Sequence, residues 1–431
     1  MNTPAFHKQF LKNSSILFVG SLLEKATAFA ALPFLTRSFT QSEYGLLEIL
    51  LASYFILRVL SSLNLVQAVA RFAGQYTKSG SEATFFSTLF SITLINSVLL
   101  FSIAGLAVAY FPAVKIDLSL LIFWVLSNAI RDYLNGYLKF TGRTLRFVSE
   151  QLIYSLFFVV GIIYLARTEQ LDIESFLILK TGLAMVSVFL NLLINYHKLL
   201  RPKFDSDIAK TSLSYSIPFV FSSLSLIAYQ YIDRLMIAGI IDLAETGIYA
   251  LAVKFSALYT LLSVATSGAI APIIYKNHDH ADAKPALRKI YLTYILTGLI
   301  YGVSIIFGIR LLFRFGFIGD DFLEAQGYLS LLVLLNTITS LQMFLPGLNI
   351  ERRTWTILKI NLVGLIVAIL LNLLLIPRLG ILGAIYASIL SATLAQFIFS
   401  HVSEKHYSTG LPILRSILGV SAIYLTLNFL L

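Results

Sequence analysis

Glu24, Lys25, Glu48, Arg58, Arg131, Asp132, Glu150, Lys180 and Lys254 stand inside runs that are otherwise apolar for the length of a membrane-crossing helix. A charge left facing lipid at mid-bilayer costs roughly 2.5–3.5 kcal/mol on the insertion scale, so these residues must face a polar interior or one another. The cations Lys25, Arg58, Arg131, Lys180 and Lys254 suit an anionic ligand. Arginine adds a planar fork of donors that matches phosphate oxygens. The acids Glu24, Glu48, Asp132 and Glu150 suit a coupling ion, proton or sodium, or a cation on another helix, as Lys25 with Asp132 would provide. The neighbours Glu24 and Lys25, and Arg131 and Asp132, point about 100° apart on a helix and make no ready intrahelical pair.

Neutral polar residues continue these positions along single helix faces. Asn128, Asp132, Asn135 and Lys139 fall at i, i+4, i+7 and i+11, one narrow stripe. Lys180, Ala184, Ser187 and Asn191 repeat the spacing, Tyr54, Arg58 and Ser61 add a third face, and Ser21, Glu24, Ala28 and Ala31 a fourth. Such faces line a shared cavity or glue helices together through hydrogen bonds and small-residue contacts. On the cavity reading Asn128, Asn135 and Asn191 join the five cations as the expected substrate-binding set.

The elements that must carry these residues are set by composition. The chain has 431 residues, 58% hydrophobic and 13% charged, with mean hydropathy +0.83. Soluble domains average roughly 25% charged residues, so the reading is an all-α polytopic membrane protein. Cysteine is absent, which removes disulfides, thiolate nucleophiles and cysteine-ligated metals. The net charge of +10 bears first on membrane orientation, and nucleic acid is not an expected partner. No Walker-type phosphate loop is present, and the lone His278-x-His280 pair is too few ligands for a metal site. Neither metal nor cofactor is expected beyond the coupling ion.

A spanning helix takes about 20 apolar residues. Runs at 14–36, 44–68, 85–109, 118–142, 147–166, 175–196, 213–232, 247–272, 290–313, 327–348, 356–376 and 383–401 meet that length, and 411–431 could add one more. The fold expected is therefore 12 to 13 transmembrane helices in two pseudo-symmetric six-helix lobes around a central cavity. The run at 14–36 follows Lys8 and Lys12 but is too long for a signal-peptide core, and it reads as an uncleaved first span. With the N-terminus in the cytoplasm, Lys and Arg crowd the inner segments, while the outer ones hold only Arg37, Lys115, Arg167, Arg234, Arg310, Arg314 and Arg378.

The polar stretch 197–212 divides an N-terminal lobe, 1–196, from a C-terminal lobe, 213–401, with a tail at 402–431. A short repeat supports the division: Glu43-Tyr44-Gly45 opens the second run and Glu245-Thr246-Gly247 the eighth. Both copies follow an even number of crossings counted from the same side, the pattern of parallel repeats. Pro33, Pro218, Pro272 and Pro346 lie within or near span ends as kink or hinge candidates.

Leu32-Pro33-Phe34-Leu35-Thr36-Arg37 leading to Glu43-Tyr44-Gly45, the later Glu245-Thr246-Gly247-Ile248-Tyr249-Ala250, and the turn Pro377-Arg378-Leu379-Gly380-Ile381-Leu382-Gly383-Ala384 resemble polysaccharide flippases of the Wzx type. These belong to the multidrug/oligosaccharidyl-lipid/polysaccharide exporter superfamily. The resemblance implies movement of an undecaprenyl-pyrophosphate-linked oligosaccharide, such as an O-antigen, capsule or exopolysaccharide repeat unit, from the inner to the outer leaflet of the bacterial cytoplasmic membrane by alternating access. It also implies a polysaccharide polymerase and assembly proteins as partners. A cation-coupled multidrug antiporter of the same superfamily is the nearest alternative, and it would favour acids unopposed by Lys or Arg. A membrane glycan polymerase or glycosyltransferase is the other. It would need a larger catalytic loop than the outer segment holding Asp320, Asp321 and Glu324, so an enzyme is not expected.

Overall fold

The computed structural model describes residues 3–110, 118–199, 203–277, 280, 282–351 and 353–430. His278 lies outside them. The apolar runs of the sequence fall on helices, and the described residues contain no strand. In chain order the helices are α1 (Thr3–Ser38), α2 (Gln41–Ser62), α3 (Leu65–Lys78), α4 (Glu82–Tyr110), α5 (Leu118–Phe140), α6 (Thr144–Arg167), α7 (Ile173–Leu199) and α8 (Ser206–Ile240). There follow α9 (Leu243–Ser256), α10 (Thr260–Asn277), α11 (Ala283–Arg314), α12 (Leu329–Ser340), α13 (Gly347–Ile350), α14 (Thr354–Leu379), α15 (Ile381–His406) and α16 (Ile413–Leu430). Among the described residues ten stretches are long and apolar enough to cross a membrane. The chain is an all-α, multi-pass membrane protein. Large apolar side chains such as Phe157 on α6 and Phe189 on α7 are exposed, as lipid-facing surfaces require.

The chain forms two compact units, one of residues 1–39 and 50–227, the other of residues 40–49 and 228–431. Of the three boundaries, one lies between α1 and α2 and the other two fall inside helices, α2 and α8.

Four runs depart from the helices read in the sequence. The run 44–68 breaks at Leu63 and Asn64, both with positive φ (47° and 51°). The break is supported from outside: Asn96 of α4 donates its amide to the α2 carbonyls of Leu60 (2.7 Å) and Ser61 (2.8 Å), satisfying acceptors that a helix end leaves open. The run 247–272 is interrupted by a 3₁₀ turn at Ala257–Tyr259. In the run 327–348, α12 lies between 3₁₀ turns at Asp320–Tyr328 and Leu341–Phe344. Helix α8 does not stop near residue 232 but continues to Ile240, which corrects the reading of Arg234 as a loop cation. The sequence carried the signal, since Leu235-Met236-Ile237 resumes the apolar run after Asp233-Arg234. Pro33 and Pro218 lie inside α1 and α8, and Pro346 sits at the start of α13.

In the second unit the two copies of the repeat meet. A Cβ built on Gly45 would lie 1.9 Å from the Leu243 carbonyl oxygen, and one on Gly247 would lie 2.2 Å from that of Gln41. Each glycine thus abuts the carbonyl four residues before the other, and only a residue without Cβ permits that approach.

Candidate functional site

In the first unit, α5 places its charged and apolar residues by helical phase. Leu134, Tyr137 and Leu138 are buried with Leu65, Val69, Phe85, Phe86 and Leu89 in a core between α3, α4 and α5. Tyr133 joins them and donates its hydroxyl to the Phe86 carbonyl oxygen at 2.5 Å. The opposite phase, Asp132, Asn135, Gly136 and Lys139, lines a cleft of about 370 Å³ together with Arg58, Asn64, Gln67 and Gln151. Asn135 is 4% exposed, and neither its amide oxygen nor its amide nitrogen has a hydrogen-bond partner within the protein. A buried amide without a partner is costly, so this one is held beside the cleft at an energetic disadvantage.

Two forked ion pairs lie on this wall or behind it. Arg58 grips Asp132 with both Nε and a terminal nitrogen, the latter at 2.7 Å from Oδ1. About a third of the Arg58 side chain remains open, 35% by area. Arg131 is buried, holds Glu150 at 2.7 and 3.2 Å, and has its guanidinium 3.8 Å from the centroid of the Tyr154 ring. Ser187 donates to the same Glu150 carboxylate. Lys180 has its ammonium 3.5 Å from the centroid of the Phe158 ring.

Glu24 is exposed and faces the Gln151 amide, whose nitrogen lies 3.2 Å from each carboxylate oxygen; Lys25 beside it is exposed. Arg131, Lys180 and Arg58 act on Glu24 electrostatically. Asn128 and Asn191 donate to carbonyls four residues back in their own helices, Trp124 at 2.9 Å and Ser187 at 3.0 Å. Those two amides are buried and serve their helices, unlike Asn135.

The second unit holds a separate constellation. Glu48 of α2, 1% exposed, is flanked by two cations, Lys254 of α9 and Arg234 of α8, the latter at 3.3 Å. Lys254 also donates to the Tyr44 hydroxyl at 3.0 Å. The Tyr44 ring in turn packs edge-on against Phe322, with centroids 5.4 Å apart. Glu48 and Lys254, both charges expected from the sequence, therefore meet each other. Arg234 was missed as a member because α8 was read as ending too early.

Beside Arg234, Asp233 accepts hydrogen bonds from the Tyr249 hydroxyl (2.9 Å), the Ser388 hydroxyl (2.6 Å) and the Asn372 amide (2.7 Å). This carboxylate was missed for the same reason. Among the described residues no group of three or more His, Cys, Asp or Glu is arranged to hold a metal ion.

Comparison with known proteins follows the same lines. The family described as polysaccharide biosynthesis protein matches residues 10–278. A probable flippase, AglR, of Haloferax volcanii is 26% identical over 206 residues, an alignment spanning 44% of this chain and 41% of that protein. The chain thus aligns with less than half the length of that relative. Among solved structures, the inward-facing conformation of a multidrug resistance MATE family transporter of the MOP superfamily superposes with TM-score 0.61 at 14% identity, covering 89% of this chain and 94% of the other. The outward-facing conformation of such a transporter gives 0.56 at 14% identity, covering 93% and 96%. A mutant of the Vibrio cholerae MATE transporter VcmN gives 0.61 at 14% identity over 96% and 99%. The architecture is thus that of the MATE transporters.

Proposed function

The chain belongs to the polysaccharide biosynthesis protein family, and we propose that it is a flippase, not an enzyme. It moves an undecaprenyl-pyrophosphate-linked oligosaccharide from the inner to the outer leaflet of a bacterial cytoplasmic membrane, with its N-terminus in the cytoplasm. The observation that carries this reading is the wall of the first-unit cleft, where the partly open Arg58 fork, the partnerless Asn135 amide and Lys139 stand on one side of one space. A fork that holds a carboxylate can hold a phosphate oxygen pair in the same geometry. Asp132 holds the fork in place when no ligand is bound, so Arg58 is kept oriented toward the cleft for an anionic headgroup. Turned toward the cleft, the Asn135 amide would present both a donor and an acceptor, as sugar hydroxyls need.

The remaining residues divide by their partners. Arg131 is buried on Glu150 and Lys180 lies over aromatic rings, so both act chiefly by field, while Lys254 serves with Glu48 in the second unit. Lys25 is exposed and meets the headgroup as it enters. Asn128 and Asn191 support helix packing. Alternating access, with residues 1–196 and 213–401 as the moving lobes, completes the cycle. The cations on the cleft wall weigh against a carrier of cationic drugs.

The test is reconstitution. In vesicles carrying a fluorescent undecaprenyl-pyrophosphate glycan in one leaflet, the protein should render the probe accessible from the other leaflet, and Arg58→Ala should slow this without loss of protein. Equal rates with and without the protein would sink the proposal.

A further inference from the structure

The acids of the membrane interior differ in what holds them. Asp132 faces the Arg58 fork, Glu150 the Arg131 fork, and Glu48 two cations. Glu24 is exposed on α1. Asp233 alone is enclosed by neutral donors drawn from three other helices: Tyr249 and Ser388 on Oδ2, and Asn372 on Oδ1. Its sequence neighbour Arg234 is turned away to Glu48.

All of these positions lie at a similar depth. Asp233 is seven residues inside the end of α8, Asn372 seven inside the end of α14, Ser388 seven inside the start of α15 and Tyr249 six inside the start of α9. At about 1.5 Å per residue that is roughly 10 Å in from one end of the bundle.

From this geometry we infer that Asp233 is the proton-binding site of the transporter. Asn372 supplies the second observation. It is fully buried, and while its amide nitrogen donates to Asp233, its amide oxygen has no partner. With Asp233 ionised, the amide nitrogen faces it as drawn. With Asp233 protonated on Oδ1, turning the amide over presents the oxygen as acceptor to the new O–H and sacrifices no other hydrogen bond. The two hydroxyls rotate freely and stay as donors to Oδ2 in both states. The surroundings therefore satisfy either protonation state, which a site that must load and unload requires.

Donors at 2.6–2.9 Å surround the carboxylate at hydrogen-bonding distance. The charged and titratable groups around Asp233 are Tyr229 and Arg234 on its own helix, Tyr249 on α9 and, through Arg234, Glu48 on α2 with its second partner Lys254 on α9. Glu48, Arg234 and Lys254 together carry one net positive charge. An ionised Asp233 brings the group to neutrality, and protonation shifts the constellation by a full unit, enough to alter how the helices carrying it hold together.

Dicyclohexylcarbodiimide attacks protonated carboxyl groups in apolar surroundings, so it reads this site without any glycan substrate. The full chain in lipid vesicles is treated in acidic and alkaline buffer, with sodium or with choline as the salt, and the adducts are mapped by mass spectrometry. The expected result is an adduct on Asp233 that increases on acidification, is indifferent to sodium and is lost in Asp233→Asn. No adduct on Asp233 at any pH overturns the inference, and so does protection by sodium at fixed pH, which would mark a metal-ion site. In the glycan-flipping assay, Asp233→Asn should still flip at equal pH on both sides but no longer respond to an imposed pH difference. A retained response overturns the inference. This second arm rests on the flippase reading, and a wild-type protein that labels at Asp233 yet flips nothing would refute that reading while the proton site stands.

Discussion

The two units handle membrane-embedded charge in opposite ways. In the first, each arginine fork meets one carboxylate, and the Arg58–Asp132 pair stays at the edge of an open cleft. In the second, one buried carboxylate is shared by two cations, and a second carboxylate is held by neutral donors. The part-buried Arg58–Asp132 pair at the cleft edge can open for a ligand at lower cost than a fully buried pair, because solvent screens it in part. A shared buried acid cannot, because removing it leaves the buried Arg234 and the part-buried Lys254 without a counter-charge. The first arrangement suits binding and release, and the second suits holding helices in one relation until a proton changes their charge.

The contrast is sharpest at the two acids that could be swapped for amides. Glu48→Gln should be the most damaging change, costing about 3–5 kcal/mol through the uncompensated Arg234 and Lys254. Thermal melting of the purified protein and its yield in the membrane would register it. Asp132→Asn, in a part-buried pair with one cation, should cost clearly less by the same measurement. Equal losses for the two would erase the distinction between the units.

Next in size comes the glycine crossing of the second unit. Gly45→Ala or Gly247→Ala forces a methyl to within 1.9 or 2.2 Å of a carbonyl oxygen, so α2 and α9 must move apart. Overpacking of this kind costs about 1–3 kcal/mol or more, and denaturation followed by tryptophan fluorescence would show it. A tolerated alanine at both sites would mean that the repeat is not a packing device.

Arg58→Ala should reduce glycan flipping about tenfold, equivalent to about 1.4 kcal/mol, while melting changes little. Arg58→Lys should recover only part of the rate because a single ammonium cannot grip two oxygens as the fork does. Full recovery by lysine would reduce the role of Arg58 to charge alone. The smallest effect is expected at Gly74 of α3, where a Cβ would meet nothing within 4 Å. Gly74→Ala should stabilise by about 0.4–1 kcal/mol through the unfolded chain, so a loss of melting temperature there would contradict the open surface on that face of the first unit.

Much of the molecule was legible before folding. Apolar length placed the helices, and the 3.6-residue period put Asp132, Asn135 and Lys139 on one face of α5, opposite Leu134 and Tyr137. The Glu43-Tyr44-Gly45 and Glu245-Thr246-Gly247 repeat marked two segments that meet at their glycines. These are local properties, fixed by residues within a few turns of one another.

Partners were not legible. Arg58 and Asp132 stand 74 residues apart, and Asp233 and Ser388 155 apart, so what each carboxylate touches depends on how whole helices are rotated and set against their neighbours. The same holds for the break at Leu63–Asn64, which the Asn96 amide supports from another helix. Composition and apolar length alone make this chain a bundle of membrane helices carrying charge in its interior. Which of those charges cancel, which stay available at the cleft, and which acid is enclosed by neutral donors emerge only once the helices pack, because the cost of an embedded charge depends on its neighbours in space.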